Sequence, residues 1–175
     1  MEHRNALVVF YTRTGHTRVL AEGIARALGA DVEELRDAAD RTGLWGWLRS
    51  ALEGIFGVST EIERPRRDPA RYEAVVVGGP VWNASVSSPV RTYLWLERDR
   101  LPALACFASY GGMGAARALG QMEAIARRRA VATFAFREIE TAAGVPRERI
   151  KAFAAAVGRG LERRKLRRGP RRRAA

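Results

Sequence analysis

Residues 74–79, Ala-Val-Val-Val-Gly-Gly, form a continuously apolar run rather than an alternating one. A strand with one wet face alternates apolar and polar positions. A strand without polar positions must be covered on both sides, as in a parallel sheet sandwiched between helices. Other strand-length apolar runs occupy 6–11, 30–35 (the weakest), 103–109 and 130–137. Between them lie segments of helical period beginning near Gly15, Thr42, Ser88, Gly114 and Pro146. In the first, Leu20, Ile24 and Leu28 recur every four residues. In the last, Ile150, Phe153, Ala154, Val157 and Leu161 make one apolar stripe, with Pro146 suited to the first turn. Ser87 or Ser88 ahead of Pro89 reads as another helix start, whose face continues through Val90, Tyr93 and Leu94. Five strands alternating with helices predict a doubly wound α/β sheet with right-handed crossovers. Its ligands belong beyond the carboxyl ends of the strands, where strand order reverses.

A chain of 175 residues is one domain by the usual size prior. No stretch approaches the roughly 18 continuous apolar residues of a membrane span, no signal peptide is evident, and the default compartment is the cytoplasm. Cys106 is the sole cysteine, set in the apolar Leu104-Ala105-Cys106-Phe107-Ala108, and reads as a small buried residue. With His3 and His16 the only histidines, no metal site is expected. The net charge is +12, but Arg163, Arg164, Lys165, Arg167, Arg168, Arg171, Arg172 and Arg173 supply eight positive charges with no acid among them. Removing those eight leaves +4 for residues 1–162. The organisation expected is therefore one domain over 1–162 and a basic, disordered tail over 163–175, which has almost nothing to bury.

Three loops fall at the carboxyl ends of the strands. In the first, the run 6–11 enters Thr12-Arg13-Thr14-Gly15-His16-Thr17 and then a helix. Three hydroxyls and the free N–H groups of a helix N-terminus make a cradle for a phosphate, although the same threonines also suit plain helix capping. The second is Gly78-Gly79-Pro80-Val81-Trp82-Asn83-Ala84-Ser85 and the third Ser109-Tyr110-Gly111-Gly112-Met113-Gly114. Their glycines permit close backbone approach, and Trp82 and Tyr110 offer flat faces to a planar ring. The bland readings are that Trp82 covers the sheet edge and the glycines shape a tight turn into a helix. No acid falls within 80–87 or 109–114. Together the three loops favour a nucleotide-like flat ligand.

These residues resemble the flavodoxin-like family, which binds FMN on a three-layer sandwich. In it a five-stranded parallel sheet of order 2-1-3-4-5 carries helices on both faces. The resemblance spans roughly residues 5–162. Thr12, Thr14, Gly15 and Thr17 fit the family's Thr/Ser-x-Thr/Ser-Gly-x-Thr phosphate loop, with Arg13 and His16 at its variable positions. Gly78-Gly79-Pro80-Val81-Trp82 with Pro89-Val90-Arg91-Thr92-Tyr93-Leu94 resembles the loop and helix beside the isoalloxazine, and Ala108 to Gly114 resembles the loop at the pyrimidine edge. The resemblance implies that 12–17 hold the phosphate, that Pro80, Val81, Trp82, Asn83 and Ala84 line one edge of the ring, and that Ser109, Tyr110, Gly111, Gly112 and Gly114 line the other. Family shuttles are usually acidic, whereas this core is mildly basic and its tail strongly so.

Other chemistries lack their residues. The nucleotide-triphosphate pattern Gly-x4-Gly-Lys-Ser/Thr is absent, Arg117 breaks a Gly-x-Gly-x-x-Gly, and Phe107 stands where a nucleophile elbow needs glycine. A phosphorylated receiver domain would need acids where Tyr11-Thr12 and Gly78-Gly79 stand. No catalytic side chain stands out, so a bound flavin would carry the chemistry. The expected function is an FMN-binding redox protein, either an electron carrier docking on a redox partner protein or an NAD(P)H-dependent reductase of a quinone-like acceptor. The alternative is a flavin-free binding module whose basic tail contacts nucleic acid or anionic membrane. Segment 42–57 is unusually apolar, with Trp45, Trp47 and Phe56 beyond a single helical stripe. It reads as core packing of the second helix, with a flavin lid, a substrate wall or a homodimer contact as the other options.

Overall fold

The structure, a computed structural model, describes residues 5–37, 61–138 and 147–168. The helix expected near Thr42, segment 42–57, His3, Pro146 and residues 169–175 lie outside them.

Strand β1 (Ala6–Phe10) leads into helix α1 (His16–Leu28) and returns as β2 (Asp31–Glu34). After a single 3-10 turn at Pro69–Arg71 come β3 (Ala74–Trp82), the short β4 (Ser85–Val86) and α2 (Ser88–Glu97). The chain then alternates through β5 (Ala103–Tyr110), α3 (Ala115–Ile125), β6 (Thr133–Arg137) and α4 (Arg147–Arg168). Five strands pair in parallel in the order β2-β1-β3-β5-β6, and β4 pairs antiparallel with β3 alone. Counting only the parallel strands, this is the order 2-1-3-4-5 expected from the sequence.

The continuously apolar runs are buried on both faces, as their composition demands. Ala6, Val8 and Phe10 of β1, Ala74 and Val76 of β3, and Ala105 and Phe107 of β5 face a core closed by Leu20 and Ile24 of α1 and Phe153 and Val157 of α4. The alternate residues, among them Leu7, Val9, Val75, Val77, Leu104 and Cys106, pack against Val90, Tyr93 and Leu94 of α2 and Met122 of α3. Each large aliphatic side chain moved from water into such a core contributes about 1.5–3 kcal/mol. Helix α1 ends on Gly29 at φ 63°, whose N–H bonds Ala25 O, with Ala30 N donating to the same carbonyl at 3.0 Å. Edge strand β2 is short and charged, which protects it from pairing with another chain. Asp31 at its start accepts from Arg67 Nη1 and from the Tyr72 hydroxyl, both at 2.8 Å.

Residues 163–168 depart from the expected disorder. Helix α4 continues past Leu161 to Arg168. Arg164 Nη1 donates to Pro102 O at 2.8 Å, and Lys165 Nζ sits 3.0 Å from Glu73 Oε2, both partners lying just before strands β3 and β5. Two physical terms other than burial carry the helix on. Arginine and lysine are good helix formers, and cations are favoured at a helix C-terminus. Replacing Arg164 and Lys165 together with alanine should cost about 1–2 kcal/mol, given that exposed ion pairs contribute about 0.2–1 kcal/mol and a neutral hydrogen bond about 1 kcal/mol. Thermal melts check this; a loss several times larger would make this last turn part of the core.

Candidate functional site

The sheet's strand order reverses between β1 and β3, since the chain leaves β1 for β2 on one side and returns to β3 on the other. Three loops converge at the carboxyl edge beside that point. The first begins at Tyr11, whose N–H donates to Gly78 O at 3.1 Å. Thr12 Oγ1 accepts from Gly15 N at 3.0 Å, which closes a tight turn and leaves the Thr12 hydroxyl proton available. Gly15 is the N-cap of α1 at φ 91°, a backbone that side-chain-bearing residues rarely adopt, and a Cβ there would meet nothing within 4 Å. The first-turn amides of α1 have no intrahelical acceptors, and no acid stands in that turn to neutralise them. Arg13, Thr14 and His16 are exposed around them. The donor set is thus hydroxyls, backbone amides, the Arg13 guanidinium and the His16 imidazole about an open N-terminus, which suits a phosphate.

The second loop is more ordered than the sequence suggested. Strand β3 does not stop at Gly79 but runs on to Trp82 and folds back into β4 as a hairpin. Asn83 and Ala84 make the two-residue turn at φ 46° and 56°, the positive values a tight hairpin requires. Gly-Gly-Pro reads as a strand breaker, but Pro80 is the last β3 residue opposite β5, and pairing then passes to β4. Its missing N–H falls where the ladder changes partner. Gln121 of α3 fixes the hairpin by accepting from Val86 N at 3.0 Å.

Trp82 is only 8% exposed and meets Tyr11 edge to face, with ring centroids 5.6 Å apart. It closes the core below the edge rather than standing open. Tyr110 is half-buried at the end of β5, and Gly111 and Gly112 beyond it are exposed, with nothing within 4 Å of an added Cβ. Gly114, the N-cap of α3 at φ 92°, touches the hairpin: a Cβ there would lie 2.4 Å from Ala84 Cα. The second and third loops are therefore in van der Waals contact.

The first and third loops are joined by side chains. Thr17 Oγ1 and Ser109 Oγ lie 2.8 Å apart, with the two residues 2% and 1% exposed. Ser109 Oγ in turn donates to Glu138 Oε1 at 3.3 Å. Of the three threonines in the phosphate-type loop, then, Thr12 is half-buried and Thr14 exposed, and Thr17 turns inward to β5. Glu138 and Gln121 were not singled out from sequence, because one lies just past a strand and the other mid-helix. Glu138 also supplies, from beyond the end of β6, the carboxylate that the loops themselves lack. Cys106 is buried, and burial pushes its thiol well above its ordinary pKa, so it stays neutral and unreactive. Among the described residues no cluster of three or more His, Cys, Asp or Glu could hold a metal ion, and no helix is long and apolar enough to cross a membrane.

No family model matches the chain, and no curated protein matches it in sequence. Solved structures do. A flavoprotein of Lactobacillus acidophilus NCFM, solved in complex with FMN, is 19% identical and has a TM-score of 0.67 over 80% of this chain and 97% of that one. A Bacteroides eggerthii protein classed provisionally as a flavoprotein is 18% identical, with a TM-score of 0.73 over 88% and 98% of the two chains. The two-electron reduced flavodoxin of Megasphaera elsdenii is 19% identical, with a TM-score of 0.53 over 86% and 98%. At these identities the likeness is one of backbone, and it agrees with the strand order and the layers of helices: the chain has the flavodoxin-like fold.

Proposed function

We propose that this protein binds FMN non-covalently at the carboxyl edge of its sheet and transfers electrons through it. The observation that carries the reading is the open cradle at the N-terminus of α1. There Thr12 Oγ1 accepts from Gly15 N and keeps its own proton to donate, Arg13, Thr14 and His16 are exposed, and the first-turn amides lack acceptors, with no acid in the turn. The neighbours of the same fold agree with it, one of them having been solved with FMN. In this reading residues 12–16 and the Thr17 amide hold the phosphate. The hairpin Pro80 to Ala84 lines one edge of the ring, and Tyr110, Gly111, Gly112 and Gly114, with Ser109 beneath them, line the other. Bound FMN supplies one- and two-electron chemistry that no side chain here offers. The protein's own part is to fix the phosphate, shape a slot between two loops held in contact, and keep a buried wall of Tyr11 and Trp82 beneath it.

Titrating flavin-free protein with FMN and with riboflavin tests the reading. Hydrogen bonds to a charged group contribute about 1.5–3 kcal/mol each, so FMN should bind at least about a hundredfold more tightly. Thr14→Ala should weaken FMN about tenfold or more and leave riboflavin unchanged. Equal affinity for the two flavins in the wild type overturns the proposal.

We further propose that the electrons pass either to a redox partner protein or from NAD(P)H to a quinone-like acceptor. Anaerobic mixing of the FMN-loaded protein with NADPH separates these, since only a reductase bleaches rapidly. The flavin-free module is the weaker reading, because Arg164 and Lys165 of the basic segment are engaged with the chain's own surface.

A further inference from the structure

The carboxyl edge of the sheet is electrostatically one-sided from β1 to β6. Helices α1, α2 and α3 all begin there, and none has an acid in its first turn, so three positive helix ends open onto one surface. Arg13 stands exposed in the first loop, Arg117 in the first turn of α3, and Arg137 at the end of β6, in register with Tyr110. A cation in the first turn opposes the helix dipole, so α3 gains nothing from the charge of Arg117. Among the described residues none of these three guanidinium groups is in an ion pair. Elsewhere acids hold such groups closely: Arg18 meets Glu34 at 2.6 Å and Arg100 meets Asp68 at 2.7 Å. Glu138 lies in the same region but is half-buried, with Ser109 donating to it. Met113, in the third loop between Tyr110 and Arg117, is 82% exposed and takes no part in the core. Three strand spacings separate β1 from β6, so the arginines spread over about 15 Å, too wide for one small anion.

We propose that this edge is a docking surface for an electron-transfer protein whose own docking face is acidic, with Met113 as the apolar anchor among Arg13, Arg117 and Arg137. Interface cores are enriched in Met and Arg and depleted in acids, which is the composition found here. Complementary charge steers the encounter and excludes partners of the wrong sign, and the apolar contact is indifferent to salt. The electron-transfer role of that partner rests on the FMN reading above; the charge and the anchor belong to the protein itself.

The probes are a dye-labelled acidic plant-type ferredoxin and, as its opposite in charge, a basic cytochrome c. Each is titrated into the flavin-free and the FMN-loaded protein at about 0.1 M salt, where charges more than about 10 Å apart are largely screened. The two edges of the sheet stand about 25 Å apart, the length of the eight-residue β5, so the far edge contributes little. The ferredoxin should bind and cytochrome c should not. Arg117→Glu with Arg137→Glu should weaken the ferredoxin at least about tenfold, since two attractions become repulsions. Arg71→Glu with Arg163→Glu makes the same change in net charge at the opposite edge, on two exposed residues, and should weaken it about twofold or less. Met113→Ala should weaken it by the same factor at low and at high salt. Melting curves confirm that each variant is folded. Equal weakening by the two arginine pairs would mean that net charge alone attracts the probe, and overturns the inference. So does tighter binding of cytochrome c, or a loss confined to NADPH in the Arg117→Glu, Arg137→Glu protein, which would make the patch a dinucleotide site. A protein that takes up FMN but not ferredoxin overturns the inference and leaves the FMN reading standing. One that takes up ferredoxin but not FMN keeps the acidic-partner surface and takes down the FMN reading.

Discussion

Gly114→Ala will destabilise the protein by about 2–5 kcal/mol and abolish the proposed flavin binding at micromolar concentrations. Two costs combine. Gly114 sits at φ 92°, where a side chain adds about 1–3 kcal/mol of backbone strain. The new Cβ also lands 2.4 Å from Ala84 Cα and 2.5 Å from Ala84 Cβ, and overpacking of that kind costs about 1–3 kcal/mol. Ala84→Gly cannot rescue the variant, because the nearest atom is backbone. The hairpin cannot retreat freely either, since Gln121 bonds Val86 N. What gives way is the contact between the second and third loops, which forms the proposed slot. Gly111→Ala and Gly112→Ala are the controls, with open space around the added atom and no positive φ; their stabilities should stay within about 0.5 kcal/mol of wild type. Urea unfolding of the three variants checks the ranking. A Gly114→Ala protein as stable as the two controls would mean that the hairpin and the third loop are not packed as described.

The elements of this fold were legible because each obeys a local rule. Val75, Val76 and Val77 cannot be half-wet, Leu20, Ile24 and Leu28 repeat once per turn, and Pro89 after two serines starts a helix. What the sequence hid was long-range. Pro80 read as the end of a strand because its effect on the ladder depends on β4, a partner only two residues long. Thr17 read as a phosphate donor like Thr12 and Thr14, because nothing local says that Ser109, 92 positions away, takes up its hydroxyl. Trp82 offered a flat face on paper, yet Tyr11 meets it edge-on, which only the pairing of β1 with β3 could bring about. Arg163 to Arg168 looked like a tail for want of apolar residues, although helix propensity and two anchoring groups just before other strands carry the helix on. The turn from β1 into α1 was itself legible, since a strand, a glycine and a helix start in twelve consecutive residues determine most of it.

Gly78 has no positive φ to protect, so the cost of Gly78→Ala isolates pure sterics. A Cβ at this position would lie 2.2 Å from Cε1 of Phe107 and 2.3 Å from Cδ1 and Cζ. The Phe107 ring is fully buried and spreads across β3 beneath α1, so it has nowhere to swing. The expected loss is about 1–3 kcal/mol, read as a lower denaturation midpoint at unchanged slope. Phe107→Leu alone should also destabilise, by opening a cavity. The double variant should be less destabilised than the two losses added together, with a coupling of about 0.5–3 kcal/mol, because leucine vacates the space the new methyl needs. Simple additivity would show that the ring does not occupy the Gly78 gap. The contact also reaches the site. Phe107 and Ser109 lie two apart on β5 and so face the same side, toward α1. The flat surface that Gly78 gives Phe107 lets the N-terminal turn of α1, with its free amides and no acid, settle against β5. Gly78→Ala should therefore weaken FMN more than riboflavin, and an equal loss for both would mean that the α1 terminus does not register the bulge beneath it.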